Sequence, residues 1–355
     1  MTSFPTVPRP SAAASMDDVA RAAGVSTATV SRALRGLSSV SAATRDRIQG
    51  VARDLGYVAS PSAASLASGR TRSIGLLTPW VDRWFYARAI DGAERALREV
   101  GFDALLYTFD LSSDQSRPRV DPSVLRRRVD GVLVVGMPLS REEVASLEAL
   151  DLPLAFVGTG RHEHVTVRLD DDAAGRCATE HLLGLGHRRI GHITGPAGVE
   201  HSWSPPVARH AAWRVALEEA SVAAEPGWAV DGAFDVNGGR EAAHRLLETH
   251  PEITALFAAS DEMAMGAILA ARERGIDVPG ELSVIGIDGH DLGELVGLTT
   301  VAQDPARQGG EAAQLLLSDI ALWAVPGSEK VSGALQVLHP THLVVRSSTA
   351  PPRQT

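Results

Sequence analysis

From Ser26 to Arg32 the chain reads Ser-Thr-Ala-Thr-Val-Ser-Arg. Short hydroxylated side chains compete with the backbone for hydrogen bonds and favour caps and turns over helix interiors. Yet Val30, Ala33 and Leu34 fall at helical spacing through the same stretch. A helix with this pattern buries a narrow apolar stripe and presents Thr27, Ala28, Thr29, Ser31 and Arg32. That is a poor surface in water and a good one in a DNA major groove. There hydroxyls bond phosphates or bases, Ala and Thr methyls meet thymine methyls, and an arginine fork grips guanine. A capped surface helix of a small bundle accounts for the same residues.

Catalytic chemistry has little to work with. No strand is followed by G-x-G-x-x-G with an acidic residue about 20 positions on, and no G-x-x-x-x-G-K-[ST] occurs. Lys330 is the only lysine, and neither a Cys–His pair nor a G-x-S-x-G elbow is present. His162 and His164 form an H-x-H with no carboxylate or cysteine at ligand spacing, which reads as exposed histidines. No metal, cofactor or enzymatic activity is therefore expected. One cysteine, Cys177, excludes an internal disulfide framework and fits a reducing cytoplasm.

The Ser26–Arg32 segment must be held by its neighbours. Ser15 with Asp18 predicts a capping box opening a first helix, which Gly24 ends in the left-handed conformation. Ser26 caps the second helix. Ser41 opens a third, with Ile48, Val51, Ala52 and Leu55 along one face before Gly56. Helix, tight turn, helix and supporting helix make a helix-turn-helix unit. Net charge is −9, yet residues 1–72 carry nine arginines against four aspartates. A basic head on an acidic body suits phosphate contact by the head alone.

After a small-residue linker, "ASPSAASLASGRTRS", the pattern changes. Apolar runs such as "SIGLLT", "DGVLVVG", "LPLAFVG", "ITALFAA" and "LSVIGID" alternate with helical segments. Continuous apolar strands between helices mean parallel sheet buried on both faces. Seven such runs exceed one comfortable sheet and predict two Rossmann-like subdomains with a cleft between them. No apolar run approaches the roughly 18 residues of a membrane span. The opening fifteen residues read as a flexible tail, not a signal peptide.

"MDDVARAAGVSTATVSRALRG…VSAATRDRIQGVARDLGYV" resembles the headpiece of the LacI/GalR family of bacterial transcription regulators. Family-like segments continue through "ATEHLLGLGHRRIGHITG", "FAASDEMAMGAILAARERG", "VPGELSVIGIDG" and "LTTVAQDPARQGGEAA". The resemblance implies a flexible tail (1–15), a helix-turn-helix headpiece (16–59), a hinge helix and linker (60–72), a two-lobed periplasmic-binding-protein-like body (73–345) and a tail (347–355). It assigns 73–170 and 299–325 to the first lobe, and 171–298 and 326–346 to the second. Thr27, Ala28 and Arg32 would read bases, while Ser26, Thr29, Ser41 and Thr44 would hold phosphates. Leu66, with Ala63 one turn before it, would wedge into the minor groove from the hinge, although Ala59 replaces the usual proline and Pro61 follows it.

The resemblance also implies a small-molecule effector, of the sugar class, in the cleft. The matching positions are Trp84, Phe85, Phe234, Ser260, Asp261, Asp288 and Gln303. Asp261 and Asp288 fit equally well as caps of the helices that follow. The usual sugar-binding arginine is replaced by Val207, with Arg209 the nearest substitute, and Gly158 stands where aspartate is frequent. The expected protein is a cytoplasmic repressor that binds near-palindromic double-stranded operator DNA as a homodimer. The ending "VVRSSTAPPRQT" has no heptads for a tetramer. A sugar-binding receptor without a DNA role is the alternative, disfavoured by the basic head.

Overall fold

The computed structural model describes residues 14–34, 38–57, 70–108, 122–160, 163–195, 204–323 and 335–353, in two compact units that divide between Thr71 and Arg72. Ala63 and Leu66 of the expected hinge, Ala59, Pro61 and His162 lie outside the described residues.

The head holds three helices, α1 (Met16–Ala23), α2 (Thr27–Leu34) and α3 (Ala42–Asp54). The expected capping box is present: Asp18 N–H donates to Ser15 Oγ at 3.2 Å, and Ser15 N–H to the Asp18 carboxylate at 2.9 Å. Gly24 closes α1 at φ 64°, a conformation that costs a Cβ-bearing residue energy. Val19, Val30, Ala33 and Ile48 are wholly buried where the helices meet. Burying each of the larger three contributes about 1.5–3 kcal/mol. Leu55, expected on the inward face, is instead 41% exposed, because α3 stops at Asp54 and Leu55 is its C-cap.

The body's elements are β1 (Ser73–Thr78), α4 (Trp84–Glu99), β2 (Asp103–Thr108), β3 (Gly131–Val135), α5 (Arg141–Glu148), β4 (Leu154–Val157), β5 (Val165–Leu169), α6 (Asp171–Gly184), β6 (Ile190–Thr194) and α7 (Pro205–Glu219). There follow β7 (Ala229–Asp231), α8 (Val236–Thr249), β8 (Ala255–Ala258), α9 (Asp261–Glu273), β9 (Ser283–Asp288), β10 (Thr299–Ala302), α10 (Pro305–Trp323), β11 (Gln336–His339) and β12 (His342–Val344). One sheet runs β11-β5-β4-β3-β1-β2 and the other β12-β10-β9-β8-β6-β7. All pairings are parallel except β10 with β12. The central strands β1, β3, β8 and β9 are buried along their whole length, as their continuous apolar runs require.

The chain crosses between lobes after β5, after β10 and between β11 and β12. The first crossing falls between Leu169, which ends β5, and Ile190, which opens β6. The other two place strands differently from the expected lobe ranges. Residues 299–302 belong to the second lobe, because β10 pairs with β9 (Thr300 opposite Gly286), and residues 336–339 belong to the first, because β11 pairs with β5 (Val337 opposite Val167). The segment 347–353, expected as a tail, is docked. Ser348 is 1% exposed, donating its N–H to Gly297 O and accepting from Val284 N–H.

Candidate functional site

On α2 the inward residues are Val30 and Ala33, and Thr27, Ala28 and Arg32 are exposed to solvent. Thr29, Ser31 and Leu34 are half-buried. Ser26 Oγ sits 2.9 Å from Thr29 Oγ1 and accepts Thr29 N–H at 3.2 Å, so these two hydroxyls cap the helix while remaining at its outer end. Ser41 and Thr44 repeat the arrangement at the start of α3, with Oγ atoms 2.9 Å apart and Thr44 N–H donating at 3.3 Å. Two helix N-termini thus carry hydroxyl donors beside exposed backbone N–H groups, the type of surface that takes phosphate.

The second site lies at the carboxyl ends of the strands, where open α/β sheets place ligands. A cavity of about 600 Å³ lies between the lobes, lined by Phe85, Arg209, Phe234, Ser260, Asp288 and Gln303 of the expected set. Trp84 and Asp261 do not line it. Trp84 stacks on His290 at 5.3 Å and donates its backbone N–H to Glu262 and its indole N–H to Asp291, each at 3.2 Å. It fastens one lobe to the other beside the cavity. Asp261 is buried beneath the loop after β9, where one carboxylate oxygen accepts Gly289 N–H at 2.8 Å and His290 N–H at 2.7 Å.

That loop presents Asp288, whose φ of 140° is a strained conformation for a residue with a side chain. Gln303 Nε2 donates to Asp288 Oδ1 at 2.7 Å, and Gln308 Nε2 to Gln303 Oε1 at 2.9 Å. Ala233 and Phe234, both at positive φ (53° and 56°), turn the loop after β7 so that Phe234 enters the cavity. Arg83 holds that loop from the opposite lobe, donating to Ala233 O at 3.1 Å and Phe234 O at 3.3 Å. Its guanidinium also lies 3.9 Å over the Trp80 ring. Arg209, 5% exposed, donates its Nε–H to Asp171 Oδ1 at 2.9 Å and a further N–H to Ala259 O. Gly158 takes φ 77°, and a Cβ there would stand 2.6 Å from the Phe85 ring, so an aromatic edge fills the space that a side chain at 158 would claim.

Burial pushes the Asp288 carboxyl up to about 7, with Arg209 opposing and Asp261 reinforcing the shift. Burial likewise moves Asp261 up to about 6. Between the ordinary value of 3.8 and about 7, folded Asp288 holds a proton that the unfolded chain has released. Stability from this source is complete below 3.8 and is lost as pH rises through 7. Thermal unfolding of wild type and Asp288→Asn across this range is expected to show wild type losing ground to the variant as pH rises. A difference in melting temperature that stays constant with pH would refute this.

Sequence reading missed Trp80, Tyr86, Glu262, Ser204 and Gln308 among the lining residues. The signal for Tyr86 was the "WFY" run, and for Glu262 its adjacency to Asp261.

A helix-turn-helix head with an outward, arginine-bearing second helix, followed by a body built around a ligand cleft, is the construction of a transcriptional regulator. Residues 15–60 match the model of bacterial regulatory proteins of the lacI family, and residues 179–349 that of a periplasmic binding protein-like domain. The HTH-type transcriptional regulator DegA of Bacillus subtilis is 34% identical over 94% of this chain and 97% of its own length. The structure of a transcriptional regulator CelR–cellobiose complex matches with TM-score 0.70 at 30% identity, over 96% of this chain and 100% of its own. That of the Lac repressor dimer bound to operator and the anti-inducer ONPF matches with TM-score 0.81 at 26% identity, covering 95% and 99%. The chain belongs to the LacI family of bacterial DNA-binding transcriptional regulators.

Proposed function

We propose that the protein is a homodimeric repressor that reads a near-palindromic operator with two heads and releases or tightens its grip when a small molecule of the carbohydrate class occupies the body cleft. The observation that carries this reading is the outward display of Thr27, Ala28 and Arg32 over a buried Val30 and Ala33. Ser26, Thr29, Ser41 and Thr44 hold phosphates, Ser31 belongs to the same DNA-facing surface, and Ala63 with Leu66 enter the minor groove. Two-fold protein symmetry mirrors the symmetry of the DNA site. The CelR–cellobiose complex and the Lac repressor dimer on its operator support ligand class, dimer and DNA partner. Phe85, Phe234, Arg209, Ser260, Asp288 and Gln303 form the effector site, with Trp84 and Asp261 shaping it from behind. Such coupling between sites amounts to about 1–3 kcal/mol. The protein works by binding and not by catalysis, in the cytoplasm. No helix among the described residues is long and apolar enough to cross a membrane.

The test is a gel shift on DNA from upstream of its own gene, at increasing salt, with and without carbohydrates. Specific retardation that weakens steeply with salt is expected, since phosphate contacts release counterions. Failure to retard that DNA more than unrelated DNA at any salt would remove the reading.

A further inference from the structure

The body is acidic as a whole, but its charge is not spread evenly. Arg126, Arg127 and Arg128 are the only run of three cationic residues in the chain. All three are exposed, whereas the apolar residues that flank them, Leu125 and Val129, are 1% and 3% exposed. Leu125 packs over β1 at Gly75, where an added Cβ would stand 3.1 Å from its Cδ2. Arg126 N–H donates to Ser123 O at 3.3 Å and Arg128 N–H to Leu125 O at 3.0 Å, so the segment is a tight turn. Within it Arg127 takes φ 61°, a conformation unfavourable for a residue with a Cβ. The turn thus displays three guanidinium groups over two buried anchors. None of the three meets a carboxylate among the described residues. The nearest carboxylate along the chain, Asp130, accepts Arg72 N–H at 2.8 Å. Like charges in a row repel one another, and neither packing nor pairing within this turn uses them.

The run lies at the end of the body to which the head is tethered. Asp130 N–H donates to Ser73 O at 2.8 Å, and β1 pairs with β3 with Ile74 opposite Gly131. The arginine turn therefore ends where β1 begins, beside Arg72, the residue at which the body starts. A duplex held by the head is held from this same end. Its backbone carries a regular row of phosphates on both sides of a recognised site. Guanidinium groups bind phosphate through paired hydrogen bonds. Such contact needs exposed cations without partners, which is what the turn presents.

We infer that Arg126, Arg127 and Arg128 form a second phosphate-binding surface, on the body and separate from the head, which contacts the DNA backbone flanking the operator. Two protomers then add at most about six phosphate contacts, a sequence-independent grip beside the heads that read bases. This goes beyond the expectation that the head alone meets phosphate, and it rests on the reading of the protein as an operator-binding dimer.

The test is fluorescence anisotropy of the full-length protein over a range of salt. One duplex is the site protected from nuclease upstream of its own gene, and a second extends that site by one helical turn on each side. Wild type is expected to bind the extended duplex about tenfold tighter at low salt. The triple variant Arg126→Gln, Arg127→Gln, Arg128→Gln, checked for folding by circular dichroism, is expected to lose that preference. On the extended duplex its slope of log affinity against log salt should be shallower by about 2–5, each lost contact being worth about 0.9. Its discrimination between the site and a scrambled duplex of equal length should stay within a few fold of wild type, because phosphate contacts carry no sequence information. No gain from the flanks in wild type, or a variant equal to wild type in slope and flank preference, would overturn the inference and leave the arginines to an acidic protein partner. A variant that also loses discrimination would overturn it too, since the arginines would then act through the heads. Should wild type itself fail to distinguish the site from the scrambled duplex, the operator-binding reading fails and takes this inference with it.

Discussion

Replacing Arg209 by methionine is expected to destabilise the body by about 3–5 kcal/mol, a drop in melting temperature of roughly 10 °C. The pair it breaks is buried on both sides, with side chains 6% (Arg209) and 2% (Asp171) exposed. Methionine fills much of the arginine's volume, so the loss comes from stranding Asp171 and not from a hole. Burial already pushes the Asp171 carboxyl above its ordinary range, and Arg209 is the foremost influence pulling it back. Without Arg209 the carboxyl takes up a proton, and the sign of the pH dependence follows. A group whose folded pKa is raised gives stability that is lost as pH rises. The penalty of Arg209→Met should thus be smaller at pH 5 than at pH 8. The double variant Arg209→Met with Asp171→Leu should recover most of the loss, since a packed apolar pair avoids the desolvation of two charges. Calorimetric unfolding of the three variants at both pH values is the measurement. An unchanged melting temperature for the single variant would show that water in the cavity already solvates Asp171.

That pair also marks where sequence reading ran out. Arg209 was legible as a cleft residue, because it lies in the segment where the family's arginine falls. Its neutralisation by Asp171 was not, because the two are 38 positions apart and meet only through the packing of α6 on α7. The strands of the sheet centres could be read because burial on both faces leaves no polar interruptions. β5 (Val165–Leu169) is broken by Arg168, and β7 and β12 have only three residues each, so all three lacked that signal. The late crossovers were misplaced for a related reason. β10 and β11 are short strands toward the sheet margins, and only hydrogen bonding to β9 and β5 reveals which sheet each joins.

The site residues show a finer limit. "RWFYA" and "FAASD" both read as cleft-forming, yet the lining residues are Phe85 with Tyr86 and not Trp84, and Ser260 with the following Glu262 and not Asp261. Each group starts a helix, where one residue of offset rotates the side chain by about 100°. Composition identifies the helix start, but the docking of that helix on its sheet sets the rotation. In the head the ambiguity is smaller. Val30 and Ala33 had to face inward to give three short helices any core, and that left Thr27, Ala28 and Arg32 outward, while Thr29 and Ser31, also expected outward, are half-buried.

Arg32→Ala is the substitution expected to separate specific from non-specific DNA binding. Arg32 is exposed, one turn beyond Ala28 on the same helix face, and its charge enters no ion pair given by the described residues of the head. A bidentate arginine–guanine contact is worth about 1–3 kcal/mol of discrimination. With two heads on one duplex the loss is counted twice, about 2–6 kcal/mol, which makes about a thousandfold the central expectation for affinity to the preferred site. Affinity for unrelated DNA should fall only by the share of one positive charge per head. Arg32→Lys should not restore binding, because an ammonium on a flexible stem cannot reproduce the planar fork. Arg21→Ala serves as the control: Arg21 lies on α1, paired with Asp18 at 3.2 Å and 79% exposed, and its removal should leave specific affinity within a few fold. Fluorescence anisotropy on specific and scrambled duplexes at one salt concentration distinguishes the cases. If Arg32→Ala weakened both duplexes equally, Arg32 would be a phosphate contact, and base reading would fall to Thr27 and Ala28 alone.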